Sequence, residues 1–361
     1  MNKIIGIDVY SALHNPRGMG IYTINFLQEL AKLDNETNYI LYSDIEDFNN
    51  VLPKQTNFRH KILKSHGLFH YEQVVLPNEC KKDKIDILHS PANTSPIFLD
   101  KKIKRYITLH DVIFLKKDVP FSKNSKQFIG RLYYAITTIL NVPKANTIFT
   151  VSNYSKEDIS KTLKINPNKI VVTPNGHEHF NVENATNFEE LKHKYNIPNE
   201  YFFHLGGDAP SKNTKFLLEY FKNNQDKNIV IAGIRKLENS YLYAKYKDCR
   251  NITFVPYISQ EDLVSLYKNA QAFIFASLYE GFGIPLLESM KCNCPIICSK
   301  ASCLPEVAGD SALYFNPKDK DEISSLIKNY KKEFNLEKVN LQLNKFTWMK
   351  SAEIIKGAYL K

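Results

Sequence analysis

The sequence predicts an α/β protein built from two parallel sheets, and three observations carry that prediction. Short apolar runs alternate with helical stretches from end to end, the pattern of βαβ units. The runs fall into two sets of about six, one in each half of the chain. At 361 residues the chain is long enough to fill two cores.

In the first half the strand-like runs are 4–9, 39–42, 85–89, 106–109, 148–151 and 170–173. In the second half they are 201–205, 228–232, 252–255, 272–275, 295–298 and 312–315. A polar stretch of weak periodicity, 179–190, reads as a hinge region between them. The expected domains are 1–175 and 176–345, both Rossmann-like, facing each other across a cleft that takes the ligand at the carboxyl ends of the strands. The stretch 346–361 reads as a terminal helix, with the only tryptophan, Trp348, near its start.

Hydrophobic residues make up 43% of the chain and charged residues 24%, the balance of a soluble globular protein. No run approaches the roughly 18 apolar residues that a membrane span needs. The opening Met-Asn-Lys-Ile-Ile-Gly-Ile-Asp reads as a first strand rather than a secretion signal, because its apolar part is short and stops at Asp8. A cytoplasmic location is expected. Cys80 and Cys249 are isolated, and Cys292, Cys294, Cys298 and Cys303 form no paired C-x-x-C, so they read as small buried groups rather than a zinc site. The net charge of +10 is spread along the chain with no nucleic-acid motif, so nucleic acid is not an expected partner. That charge suits an anionic small-molecule ligand and peripheral contact with the anionic inner face of a cell membrane.

The segment from Ser277 to Pro295, S-L-Y-E-G-F-G-I-P-L-L-E-S-M-K-C-N-C-P, carries the most chemistry. An apolar strand runs into a turn with Gly281 and Gly283, followed by Pro285 and an apolar helical run. Proline is tolerated in a first helical turn, where its missing N–H is one of the orphans. The helix start, Phe282, Gly283, Ile284, Pro285 and Leu286, offers backbone N–H groups and a positive dipole end to a phosphate. Glu280 lies in the turn and Glu288 about one turn into the helix. A carboxylate beside a phosphate is unfavourable, so both are expected to meet neutral hydroxyls: Glu280 those of a sugar, Glu288 those of a ribose. The pattern predicts a nucleotide-sugar site.

Glu280-Gly-Phe-Gly-Ile-Pro-Leu-Leu-Glu288 resembles the paired-glutamate motif of retaining glycosyltransferases with the two-domain GT-B fold, the large group of bacterial mannosyl-, glucosyl- and rhamnosyltransferases. The resemblance runs in order from Gly18 to Trp348. It implies an acceptor-side first domain, a second domain that binds the nucleotide-sugar, and a C-terminal helix that returns to the first. It implies transfer of a hexose or deoxyhexose, mannose favoured, from a GDP- or UDP-sugar to a hydroxyl of a glycan or lipid-linked acceptor. The setting would be bacterial surface polysaccharide or lipopolysaccharide assembly, with retention of configuration and neither metal nor cofactor. A sugar-nucleotide epimerase, a phosphorylase or an inactive glycan-assembly partner would share the fold, and these are the alternatives.

Other segments fit the same resemblance. Gly18, Met19 and Gly20 follow the first strand and open a helix, a place the family uses for donor phosphate or sugar. The third glycine of a dinucleotide fingerprint is missing there, replaced by Thr23, which argues against a nicotinamide cofactor. His110 and Asp111 end a strand and resemble the family's H-D segment, with His110 at the reaction centre and Asp111 orienting its ring or binding the acceptor hydroxyl. His89 ends another strand, and Arg105 and Arg131 are further candidate anion contacts. His177-Glu-His179 has metal-like spacing in a polar loop, and Asp319-Lys-Asp321 lies in a charged one; neither is assigned to a metal.

In the second half, Gly206-Gly207-Asp-Ala-Pro-Ser-Lys212-Asn213 reads as a diphosphate cradle of glycine backbone, Lys212 and Asn213. It resembles the family's G-x-x-x-x-R-K-N with Ser211 in place of the arginine, which leaves Lys212 carrying more of the charge, or Arg235 compensating. Finally, Tyr257 and Ile258 precede a helix capped by Ser259, and the resemblance places the base against their backbone.

Overall fold

The computed structural model describes residues 3–117, 119, 125–234, 236–256 and 258–361, with the side chains of 125–127 left out. Arg235 and Tyr257 therefore lie outside the described residues. Contacts divide the chain into two compact units. One takes in the residues up to Lys116, the stretch ending at Gly176 and Thr347–Lys361, and the other takes in His177–Phe346.

The first unit holds seven parallel strands: β1 (Ile4–Asp8), β2 (Asn38–Ser43), β3 (Phe58–Ile62), β4 (Ile87–Ser90), β5 (Lys104–Thr108), β6 (Thr147–Thr150) and β7 (Ile170–Val172). Their order is β3-β2-β1-β4-β5-β6-β7, so the direction of winding reverses between β1 and β4. The second unit holds six: β8 (Phe202–Leu205), β9 (Ile229–Ala232), β10 (Ile252–Phe254), β11 (Phe273–Phe275), β12 (Ile296–Ser299) and β13 (Ala312–Phe315). Their order is β10-β9-β8-β11-β12-β13, with the reversal between β8 and β11. Helices cover both faces of each sheet, which is why most strands read as continuous apolar runs.

β3 is the strand that sequence patterning missed. Its residues, Phe-Arg-His-Lys-Ile, sit at the sheet edge, where charged side chains protect the open backbone and hide the apolar signal.

The terminal helix Trp348–Leu360 packs on the helix Met19–Leu33 of the first unit. Thr347 caps it by accepting from the Lys350 N–H at 3.3 Å. Lys356 Nζ donates to Leu33 O at 2.7 Å, and the buried Trp348 ring lies 6.1 Å from that of Tyr22. Among the described residues no helix is long and apolar enough to cross a membrane.

Candidate functional site

β8 and β11 are neighbours across the reversal point of the second sheet, so the turns that follow them meet at its carboxyl edge. A backbone bond joins the two turns directly, from Leu278 N–H to Ser211 O at 2.7 Å.

The first turn needs Gly206. A Cβ there would lie 2.2 Å from His204 Nε2 and 2.4 Å from Thr214 Oγ1. Beneath it runs a short relay. His204 Nδ1–H donates to Ile274 O at 2.8 Å, which leaves Nε2 to accept from the Thr214 hydroxyl at 3.0 Å. Thr214 Oγ1 in turn accepts from the Gly207 N–H at 3.2 Å. Burial pushes His204 down to about 4, so the ring is neutral and its tautomer is fixed by the carbonyl. His204 and Thr214 were not picked out from sequence; the histidine closing β8 was the available signal.

Lys212 ends the turn Pro210–Lys212, and Asn213, at φ +57°, swings the chain into the helix Thr214–Asn223. The Asn213 side chain donates to Pro317 O at 2.9 Å, so it serves the turn. Lys212 Nζ lies 2.7 Å from Glu280 Oε1 and 5.5 Å from the centre of the Phe275 ring.

Glu280 is held from the β12 side. Its N–H donates to Ser302 Oγ at 3.0 Å, and the Cys303 thiol donates to Glu280 O and to Phe282 O at 3.2 and 3.1 Å. Gly283 stands at φ +97°, where a Cβ would lie 2.9 Å from Leu304 Cδ2, so both conformation and space require glycine. The helix Ile284–Lys291 begins there, with Pro285 its second residue. Phe282, Ile284 and Leu286 turn buried side chains into the core, which leaves their backbone as the part able to serve a ligand. Glu288 is 8% exposed; Tyr267 Oη donates to its Oε2 at 3.3 Å, and burial pushes its carboxyl up to about 7. Ile258 is half-buried just before Ser259, which caps the helix Gln260–Asn269 by accepting from Asp262 N–H at 3.1 Å.

The other expected contacts belong to the first unit. Gly18 caps the helix Met19–Leu33 at φ +47°. A Cβ on Gly20 would lie 2.3 Å from Asn15 O, and the Gly20 N–H donates to Arg17 O at 2.8 Å. Close packing thus accounts for Gly20, and the N–H groups of Gly18 and Met19 head the helix. His110 Nε2–H donates to Pro91 O at 2.8 Å, and the ring stands edge-on to Tyr22 with centroids 4.9 Å apart. Burial lowers His110 to about 4, which keeps it neutral. Asp111 accepts from Ile113 N–H at 2.9 Å and so shapes the turn that follows it.

His89 lies in the core between Tyr359 Oη at 2.6 Å and Thr108 Oγ1 at 2.8 Å. Arg105 is committed to Pro96 O and the Asn141 side chain, and Arg131 to the carbonyls of Phe114 and Lys116. These three read as structural.

Taken together, two α/β units, each with a parallel sheet, and a cation, carboxylates and helix start at the carboxyl edge of the second sheet define a class of two-domain α/β proteins with a polar site on the second unit. Family models match both halves: "Glycosyltransferase Family 4" over residues 16–179 and "Glycosyl transferases group 1" over residues 187–339. The first half is thus a glycosyltransferase family 4 domain and the second a glycosyltransferase group 1 domain.

Among curated relatives, it is 27% identical over 252 residues to the O-antigen chain mannosyltransferase B of Escherichia coli, covering 67% of this chain and 64% of the relative. It is 32% identical over 229 residues to the O-antigen chain mannosyltransferase RfbU of Salmonella typhimurium, covering 62% of this chain and 60% of the relative. The matched stretches thus span less than two thirds of either relative. Among solved structures, Anabaena HepE in complex with UDP-glucose aligns over 99% of this chain and 100% of its own, with a TM-score of 0.72 at 12% identity. That likeness concerns the fold, which is GT-B.

Proposed function

We propose that the chain is a retaining glycosyltransferase that moves a hexose or deoxyhexose, mannose favoured, from a GDP- or UDP-sugar to a hydroxyl of a glycan or lipid-linked acceptor in bacterial surface polysaccharide or lipopolysaccharide assembly. The carrying observation is the 2.7 Å pairing of Lys212 with Glu280 beside the helix start at Gly283. A diphosphate is a stronger partner for Lys212 than one carboxylate, and a sugar hydroxyl is a good donor to Glu280. One donor molecule would engage both, with the N–H groups of the helix start holding the phosphates. Glu288, whose carboxyl burial pushes up to about 7, would meet the ribose hydroxyls. The bond from the anomeric carbon to the phosphate oxygen breaks, the acceptor oxygen bonds to the same face, and its proton passes to the departing phosphate. His110, neutral and orientated by Pro91 O, would line the reaction centre.

The relatives' names support the mannosyl and O-antigen setting. The test is a thermal-shift panel of UDP, GDP, dTDP and ADP with their sugar conjugates, followed by transfer assays with the stabilising donor. Selective stabilisation by one nucleoside diphosphate supports the reading. Its absence in well-folded protein, or conversion of the donor without any acceptor, would replace it with an inactive partner or an epimerase.

We also infer peripheral attachment to an anionic bilayer. The helix Ser125–Asn141 exposes Phe128, Ile129, Leu132, Ile136, Ile139 and Leu140, which fall within about 120° of one another at ~100° per residue. Phe69 and Phe98 are also exposed, at 66% and 81%. Exposed Lys144 follows the helix, and exposed Lys101 and Lys102 follow Phe98 within four residues. An apolar face edged by cations suits an interfacial helix on anionic lipid. Vesicles of phosphatidylglycerol should co-sediment the protein and those of phosphatidylcholine should not, and Phe128→Asp with Ile136→Asp should release it. Equal sedimentation of the double variant would refute the attachment.

A further inference from the structure

The carboxyl edge of the first sheet carries a second constellation, at the reversal point between β1 and β4. Asp8 ends β1 and is 8% exposed. Its Oδ1 accepts from Tyr71 Oη at 3.0 Å and from Tyr10 N–H at 2.9 Å. Asp44, just past β2, pairs with His14 at 2.6 Å and accepts from Ser65 Oγ at 2.9 Å. Glu72 lies in the π-helical turn Tyr71–Val75 and accepts from Thr94, Tyr133 and Gln73. Among the described residues no lysine or arginine is ion-paired with Asp8, Asp44 or Glu72. Three carboxylates gathered without such a cation are unusual in a chain of net charge +10.

Two further features mark the place. The half-exposed Tyr10 ring stacks on His14, centroids 4.0 Å apart and planes 21° from parallel, and leans on Tyr71 at 4.9 Å. The Ser90 hydroxyl, at the end of β4, is 99% buried and has no hydrogen-bond partner. β1 and β4 run parallel with Ile7 opposite His89, so Asp8 and Ser90 stand side by side on the same face of the sheet. A buried hydroxyl without a partner beside a carboxylate is a place for a ligand's polar group.

We propose that Asp8, Asp44, the Ser90 hydroxyl and the Tyr10–His14 stack form a subsite for an uncharged sugar ring of the acceptor. A flat aromatic surface takes the apolar face of a pyranose, and carboxylates take its hydroxyl protons. The same carboxylates repel phosphate, so a charged carrier portion of the acceptor lies elsewhere. The subsite rests on the glycosyltransferase reading and deepens it by assigning the acceptor's chemistry. Burial pushes Asp8 up to about 7, so near neutral pH its carboxyl both accepts from and, when protonated, donates to hydroxyls, while Asp44 and Glu72 sit beside it.

The experiment is saturation-transfer NMR on the full chain with methyl α-mannoside, methyl α-glucoside and methyl α-N-acetylglucosaminide. It is repeated on Asp8→Asn and on Tyr10→Ala, with melting temperature and the nucleoside-diphosphate shift recorded on the same samples. At least one glycoside should bind, about tenfold more weakly in each variant, with the nucleotide shift unchanged. No glycoside binding to the unaltered chain, or equal binding to both variants, overturns the subsite. If Asp8→Asn melts early, Tyr10→Ala, which alters a half-exposed ring, decides alone. A glycoside response without any nucleotide shift would instead remove the glycosyltransferase reading and leave a sugar-binding surface.

Discussion

Lys212 and Glu280, separated by 68 positions, meet at 2.7 Å between ammonium and carboxylate. The pair is partly solvated, with 33% and 16% of the two side chains exposed, so its own contribution to stability is small, roughly 0–1 kcal/mol. In the proposed function a donor takes the place of each partner, its diphosphate on Lys212 and a sugar hydroxyl on Glu280.

Lys212→Ala and Glu280→Ala should each lower kcat/KM at least about 100-fold, the scale for losing a group that stabilises developing charge. They should differ in binding. Lys212→Ala should lose the thermal shift given by a nucleoside diphosphate, whereas Glu280→Ala should keep it and lose only the increment added by the sugar. The double variant should be little worse than either single one, because the two act on the same molecule. Additive losses, or normal turnover in Glu280→Ala, would remove the assignment.

That pairing shows where sequence reading stops. Twelve strands were legible because parallel strands buried on both faces read as plain apolar runs. The block from Glu280 to Glu288 was legible because Gly283 and Pro285 mark a strand-to-helix turn. The contact between Lys212 and Glu280 was not, because it depends on β8 lying beside β11, a matter of sheet order. The His204–Thr214 relay was hidden too, since a histidine in an apolar run gives no sign of what its ring meets. Asp8 read as no more than the end of a strand, and its gathering with Asp44 and Glu72 needs three separate turns to converge.

Stability should fall between about pH 6.5 and about pH 5. Burial lowers His89 to about 3 and His110, His179 and His204 to about 4, from an ordinary 6.5. Below pH 6.5 the unfolded chain binds protons that these rings refuse in the folded state, so their contribution is lost as pH falls toward 4. Asp8 and Glu288 act oppositely. Their folded values of about 7 let the native state hold protons the unfolded chain has released, so their contribution declines as pH rises from about 4 to 7. Four groups outweigh two. Urea midpoints should therefore be lower at about pH 5 than at about pH 6.5, and equal or higher values at pH 5 would contradict the balance.

Glu288→Gln should separate stability from binding. At about pH 8 the buried carboxylate is charged with a single hydroxyl donor, Tyr267 at 3.3 Å. The neutral amide keeps that hydrogen bond and avoids the desolvation, so the variant should be more stable by up to about 3 kcal/mol. The gain should vanish below about pH 4, where the native and unfolded carboxyls are both protonated. The nucleotide-induced shift should shrink at the same time, if the carboxylate holds ribose. A variant with unchanged nucleotide binding would assign Glu288 to the fold alone.

The terminal helix should behave as core of the first unit, although it is the last element of the chain. Tyr359 is fully buried, with its hydroxyl 2.6 Å from His89 Nδ1, while Tyr106 Oη donates to Ala358 O at 3.0 Å and Lys3 Nζ to Tyr359 O at 2.9 Å. Tyr359→Phe removes one hydroxyl and leaves a ring nitrogen unpaired in a dry interior, a loss of about 1–3 kcal/mol. Trp348→Ala opens a cavity against Tyr22 and should cost about 3–5 kcal/mol. Combining Tyr359→Phe with His89→Leu and Thr108→Val should recover part of the first loss, because the ring nitrogens and both hydroxyls they meet are then removed together. Denaturant curves with unchanged slope would place these losses in the native state. Wild-type stability in Trp348→Ala would show instead that the helix is an appendage, and that the first unit closes its core without it.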